Sequence, residues 1–170
     1  YWIILLWLFT ANTHATLNYS PSENWYSRSS EHFRVHFHIS TQQWATQTLS
    51  IAEQTHQRLA PLFDHVPQQA VDIVLLDSKD VTNGAATPLP ANQIILWRLP
   101  GHDFPLEDYA HWLEALIIHE YSHILHLNQS AGLPQRLRQL LGRHAGLFSL
   151  LLFPNIAQPL WGIEGFATWL

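Results

Sequence analysis

The segment ALIIHEYSHILHLNQ, residues 115–129, carries large apolar side chains around its whole helical circumference. Trp112, Leu113, Leu116, Ile117, Ile118, Tyr121, Ile124, Leu125 and Leu127 leave no polar face, and a helix that is apolar all round is a buried one. Any fold this chain adopts has to wrap around that helix. It is expected to begin after LPGHDFPLED, with Asp103 or Asp108 near its N-terminus, and to run to about Asn128. Yet its middle holds His119, Glu120 and His123. Burying such groups without partners costs free energy, so the fold must supply something that satisfies them.

The spacing says what that is. His119 and His123 are four apart, which on a helix sets them on one face about 6 Å apart along the axis. From there both imidazoles can converge on one Zn²⁺ at about 2.0–2.1 Å each. Glu120, one step round the helix, stands beside such an ion rather than on it, where it can take a proton from water. This is the HExxH arrangement, and a chain of this composition would show roughly 0.03 such matches by chance. The competing reading, two core histidines satisfied by ordinary hydrogen bonds, is weaker for that reason. His126 lies about 10 Å beyond His119 along the axis, too far for one tetrahedral ion to gather all three. HILHLNQSAG also lacks a glycine at the spacing that a more distant third histidine would need. His126 therefore reads as supporting or structural. The better third ligand is Glu164, at the head of a second apolar, helix-like segment, WGIEGFATWL. Two imidazole nitrogens and one carboxylate oxygen leave a fourth position for water.

Around these motifs the elements point to an α+β domain. FRVHFHI alternates, with Phe33, Val35, Phe37 and Ile39 on one face and Arg34, His36 and His38 on the other, as in a half-buried strand. His36 and His38 are expected on a solvated outer face rather than as a metal pair. TQQWATQTLSIAEQTHQRLAPLF reads as an amphipathic helix capped by Ser40 or Thr41 and ending near Pro61. VDIVLL (71–76) and QIILWRL (93–99) read as short apolar strands, separated by the turn-rich DSKDVTNGAATPLPAN. The 170 residues suffice for one domain with a real core. With a net charge of −5 and eight basic residues, the chain has no phosphate-binding footprint, so nucleic acid is not an expected partner. The absence of cysteine excludes disulfides and thiolate metal ligands.

The first residues, YWIILLWLF, are too few to span a bilayer but suit the apolar stretch of a signal peptide. The following THA, with Thr13 and Ala15, offers a small-residue cleavage site, so residues 1–15 are expected to be a truncated leader and residues 16–170 the domain. Export is the expectation. The run GLFSLLLFP (146–154) could touch lipid, but nine residues cannot cross a membrane, and core packing is the preferred reading.

HEYSH together with WGIEGFA resembles the gluzincin metallopeptidases, in which HExxH is followed by a helix bearing a glutamate ligand. The second piece is similar to the WLNEGFA-type signature of the aminopeptidase N family, although the intervening LPQRLRQLLGRHAGLFSLLLFPNIAQP is longer than that family's helical hairpin. The span from HEYSHILHLNQSAGLPQRLRQLLGR to LFPNIAQPLWGIEGFATW, preceded by NGAATPLPANQIILW, more closely resembles the N-terminal peptidase-like domain of bacterial envelope proteins that carry a C-terminal TolB-like β-propeller. The resemblance covers roughly residues 30–170. It implies a zincin-like fold, a small mixed sheet packed on a buried active-site helix and followed by a helical segment with the third ligand. It further implies zinc held by His119, His123 and Glu164, Glu120 as catalytic base, and a peptide or protein substrate. QIILWRL is then expected at the sheet edge, where an extended peptide could add as a strand. An oxyanion donor is expected from beyond residue 170, since Tyr121 should turn away from the metal. The alternative is an inactive zincin-like domain that serves as an envelope binding module.

Overall fold

In the computed structural model, which describes residues 24–77, 83–97, 106–143 and 149–170, five strands form one mixed sheet. They are β1 (Trp25–Ser29), β2 (Phe33–His38), β3 (Val71–Leu76), β4 (Asn83–Thr87) and β5 (Gln93–Trp97). Their spatial order is β1-β2-β3-β5-β4, with β2, β3 and β5 parallel and the two outer strands antiparallel to their neighbours. Two long helices, α1 (Gln42–Leu59) and α2 (Leu106–Asn128), pack on each other, and three shorter ones follow: α3 (Gly132–Leu141), α4 (Ser149–Leu152) and α5 (Leu160–Trp169). The fold class is α+β, as expected. The proposed leader at residues 1–15 and the capping Asp103 lie outside the described residues.

Alternation decides which face of the sheet meets the helices. Phe33, Val35 and Phe37 of β2, Val71, Ile73 and Leu75 of β3, and Ile94 and Leu96 of β5 are buried. They form one core with Leu113, Ile117, Tyr121, Ile124 and Leu125 of α2 and Ala45, Ala52 and Leu59 of α1. Each such aliphatic side chain contributes about 1.5–3 kcal/mol on burial, so α2 is anchored along its length. α1 supplies the crossover that two adjacent parallel strands require.

Two expectations fail and two hold only in part. β5 is not at the sheet edge, because Asn83–Thr87, read from the sequence as part of a turn-rich loop, forms β4 and covers it. Of the two histidines expected on a solvated face, His36 is half-exposed there and only His38 departs from it. His36 Nδ1 is 2.8 Å from Ser27 Oγ and its Nε2 is 2.9 Å from Asp72 Oδ1. His38 is buried, its ring 3.7 Å from that of Trp25. Ile39 leaves the strand for a short 3₁₀ turn and is exposed. In the described part of GLFSLLLFP, Leu152 and Phe153 are fully buried, in line with core packing, while Leu150 and Leu151 are exposed. No helix among the described residues is long and apolar enough to cross a membrane.

Candidate metal centre

α2 is helical through the whole HEYSH motif, so the i, i+4 spacing of His119 and His123 brings both rings to one flank, 4.7 Å apart between centroids. The polypeptide returns after α4, and a 3₁₀ turn at Pro154–Ala157 leads into α5, which packs on α2. Glu164 lies in the first half of α5 and faces the two histidines. Its Oε2 is 3.2 Å from His119 Nε2 and 3.5 Å from His123 Nε2, and the two Nε2 atoms are 3.2 Å apart. The three sequence-predicted ligands thus form the one His/Cys/Asp/Glu group among the described residues able to hold a metal ion.

Two physical tests favour a cation at the centre of this triangle. The first is protonation. Each corner can be a donor or an acceptor, and a three-membered ring cannot alternate the two, so one edge always sets like against like. A cation satisfies all three corners at once. The second is size. Tetrahedral zinc with bonds of about 2.0–2.1 Å separates its ligand atoms by about 3.3–3.4 Å, which matches the observed edges. Nitrogen and carboxylate donors without thiolate suit zinc among several divalent metals, so the donor set fits a metal without fixing which one.

The electrostatics favour a neutral imidazole at His123. Burial lowers the pKa of His123; nearby Glu164 works in the opposite direction, while His119 and His126 lower it further. His126, also lowered by burial, stacks against Phe166 with ring centroids 4.4 Å apart and stands outside the ligand group. Tyr121 turns away, as expected: it is buried, and its hydroxyl lies 2.6 Å from His56 Nδ1 on the other side of α2.

Glu120 is buried beside the triangle without belonging to it. Burial first, and the charge of Glu164 second, push its carboxyl pKa up to about 7. Its other neighbour is the residue the sequence did not reveal as functional, Gly84 of β4. A Cβ at position 84 would lie 2.5 Å from Glu120 Oε1, so only glycine admits the carboxylate there. The signal was present as Asn83-Gly84, but that dipeptide reads first as a turn; a glycine inside a strand marks close approach instead. Asn83 to Ala86 and Ile163 complete a cleft of about 500 Å³ over the ligands. Compared with protein-family models, curated proteins and solved structures, the chain matches none. Its chemistry is therefore read from this geometry alone.

Proposed function

We propose that the chain is a zinc-dependent peptidase domain of the gluzincin type, with His119, His123 and Glu164 as ligands and Glu120 as general base. The observation that carries this reading is the 3.2–3.5 Å triangle of ligand atoms with a buried carboxyl beside it. Bound there, zinc would supply Lewis acidity, polarising a carbonyl and lowering the pKa of water toward about 7. Glu120 accepts the proton that water loses on attacking the peptide carbonyl carbon, and passes it to the departing amine nitrogen. Burial raises the pKa of this carboxyl, which makes it a better proton acceptor than an exposed carboxylate. β4, with one edge unpaired among the described strands, runs along the cleft and offers main-chain N–H and C=O groups to an extended peptide. Export to the periplasm or cell envelope, with the mature chain starting near Thr16, belongs to the same proposal and rests on the leader-like opening alone.

Three variants of the full-length protein test it, with zinc content and hydrolysis of a broad peptide library measured on each. Glu120→Gln should keep about one zinc per chain and lose about 10²–10⁴-fold in hydrolysis, the usual worth of a general base. Glu164→Gln and His119→Ala should lose both metal and activity. A Glu120→Gln protein without zinc would overturn the division of roles. A wild-type protein that holds zinc and cleaves nothing in the library would replace the peptidase with the envelope binding module.

A further inference from the structure

Away from the metal centre, α3 leaves most of its apolar stripe exposed. Leu133, Leu137, Leu140 and Leu141 fall at i, i+4, i+7 and i+8, the stripe that a helix normally buries. Yet Leu133, Leu140 and Leu141 are exposed, Leu140 at 80%, and no residue of α3 is buried. Its half-buried residues are Pro134, Gln135, Leu137 and Arg138. Gln135, Arg138 and Gln139 line a cavity of about 330 Å³, shared with His65, Asn128 and Arg143. Apolar burial therefore does not account for how α3 is seated.

The two arginines are the unusual part of that cavity. Arg138 Nη1 donates to the main-chain carbonyl of Asn128 at 2.9 Å, at the C-terminus of α2. Arg143 donates to Asn128 Oδ1 at 3.0 Å, Asn92 Oδ1 at 2.7 Å and the Pro88 carbonyl at 2.5 Å. Both guanidinium carbons stand 5.1 Å from the centroid of the Phe153 ring. Every acceptor they meet is neutral, and among the described residues no carboxylate lines the cavity. The α2 C-terminus offers roughly half a negative charge against two positive ones, so more than one elementary charge goes unbalanced. Burial lowers the pKa of both arginines, and the charge of Arg138 lowers that of Arg143 further, as expected where a counter-ion is missing. Only one of the five N–H donors of Arg138 is engaged among the described residues.

We propose that this cavity is an anion site that takes a small oxyanion, a carboxylate or a phosphate, on the guanidinium groups of Arg138 and Arg143, with Gln135 and Gln139 as flanking donors. Arginine's planar fork suits either anion, and an anion would supply the charge that the protein side of the cavity lacks. It would also explain why α3 lines the cavity with Gln135, Arg138 and Gln139. The site shares no lining residue with the metal cleft, so it stands or falls independently of the peptidase reading.

The test is a titration of the full-length protein with inorganic phosphate, with succinate and with chloride at matched ionic strength, followed by calorimetry and by the unfolding midpoint. Because phosphate can also reach a metal, the same titrations are run on His119→Ala. At least one oxyanion should raise the midpoint in both proteins where chloride does not. A response to phosphate alone assigns a phosphate site, and a response to succinate alone a carboxylate site. Arg138→Gln should weaken the response at least tenfold, on the scale of losing a charge-assisted hydrogen bond. Should that variant fail to fold, Gln139→Glu carries the test, because a carboxylate beside the cavity should weaken anion binding to a similar degree. Oxyanions that act no more strongly than chloride would leave the arginines as a clamp on the end of α2 and overturn the proposal. So would a response unchanged in the folded variants.

Discussion

α2 separates two groups of histidines built from the same residue types. On one flank, His119, His123 and Glu164 point three ligand atoms at one another, and no assignment of protons satisfies every edge. On the other flank lie His32, His56, Glu53 and Tyr121. There the Glu53 carboxylate accepts from the His32 main-chain N–H at 2.8 Å and meets His32 Nδ1 at 2.8 Å. The His32 and His56 rings stack with centroids 3.8 Å apart, and His56 Nδ1 shares a 2.6 Å hydrogen bond with Tyr121. Each hydrogen bond here can join one donor to one acceptor, His32 to Glu53 and Tyr121 to His56, so the group needs no ion. Histidine content does not make a metal site; convergence of ligand atoms without room for alternation does.

The largest effect that would sharpen this contrast comes from Gly84. Gly84→Ala forces Glu120 aside, because the new Cβ would sit 2.5–2.8 Å from three atoms of that side chain. Hydrolysis should fall by about 10²-fold, the cost of misplacing a catalytic group by about an ångström. Zinc content should not change, since the triangle does not include Glu120; a Gly84→Ala protein that loses metal would show that base and ligands are one unit.

A smaller effect belongs to the opposite flank. Tyr121→Phe leaves His56 Nδ1 buried without its partner and should cost about 1–3 kcal/mol of stability in a denaturant titration. Although Tyr121 lies between the two ligand histidines in sequence, zinc content should stay at the wild-type level. Metal loss in this variant would break the separation of the two clusters.

The smallest effect is a pH dependence specific to that flank. Burial, helped by the charge of His32, lowers the pKa of His56 despite the opposing carboxylates of Glu53 and Glu31. Burial alone would raise that of Glu53, but hydrogen bonds from Ser30 and His32 and the His32 charge bring it below its ordinary value. Both groups therefore bind protons less readily when folded than when unfolded, and stability falls as pH falls. The His56 contribution is present above about pH 6.5 and is lost as pH drops through its folded value. The Glu53 contribution is lost below about 4.5. Glu120, His123 and His126 also titrate in this range but are common to both proteins, so the test is a difference. Measured on metal-free protein between pH 7.5 and 4, the unfolding midpoint should decline more in the wild type than in His56→Asn. A decline of equal size in the variant would assign it elsewhere.

What could be read from the sequence divides along the same lines as the forces involved. HEYSH was legible because its geometry is local: four residues on a helix fix two ligands. Strands 71–76 and 93–97 were legible because burial leaves a continuous apolar run. Glu164 was reachable only because an apolar helical segment surrounds it, and its approach to α2 depends on tertiary packing that no periodicity encodes. β1 and β4 were missed because WYSRS and NGAAT lack an apolar alternation; they are strands by virtue of the neighbours they pair with. Assigning β5 to the edge followed directly from missing β4. The seating of α3 is illegible for the opposite reason: three of the four leucines of its stripe are exposed, against what periodicity implies.

α5 has a consequence of its own. Of its ten residues only Ala167 is buried, while Leu160, Trp161 and Trp169 are 71–80% exposed. Its hold on the rest of the protein is a narrow seam of Ala167, Phe166 against Phe63 and His126, and Glu164 against the two ligand histidines. The sheet, α1 and α2 share a core that needs nothing from α5. Two ligands therefore stand on a helix that this core fixes, and the third on a helix held by a few contacts. An ion bound at that junction would act as a rivet, joining α5 to the scaffold of the sheet, α1 and α2.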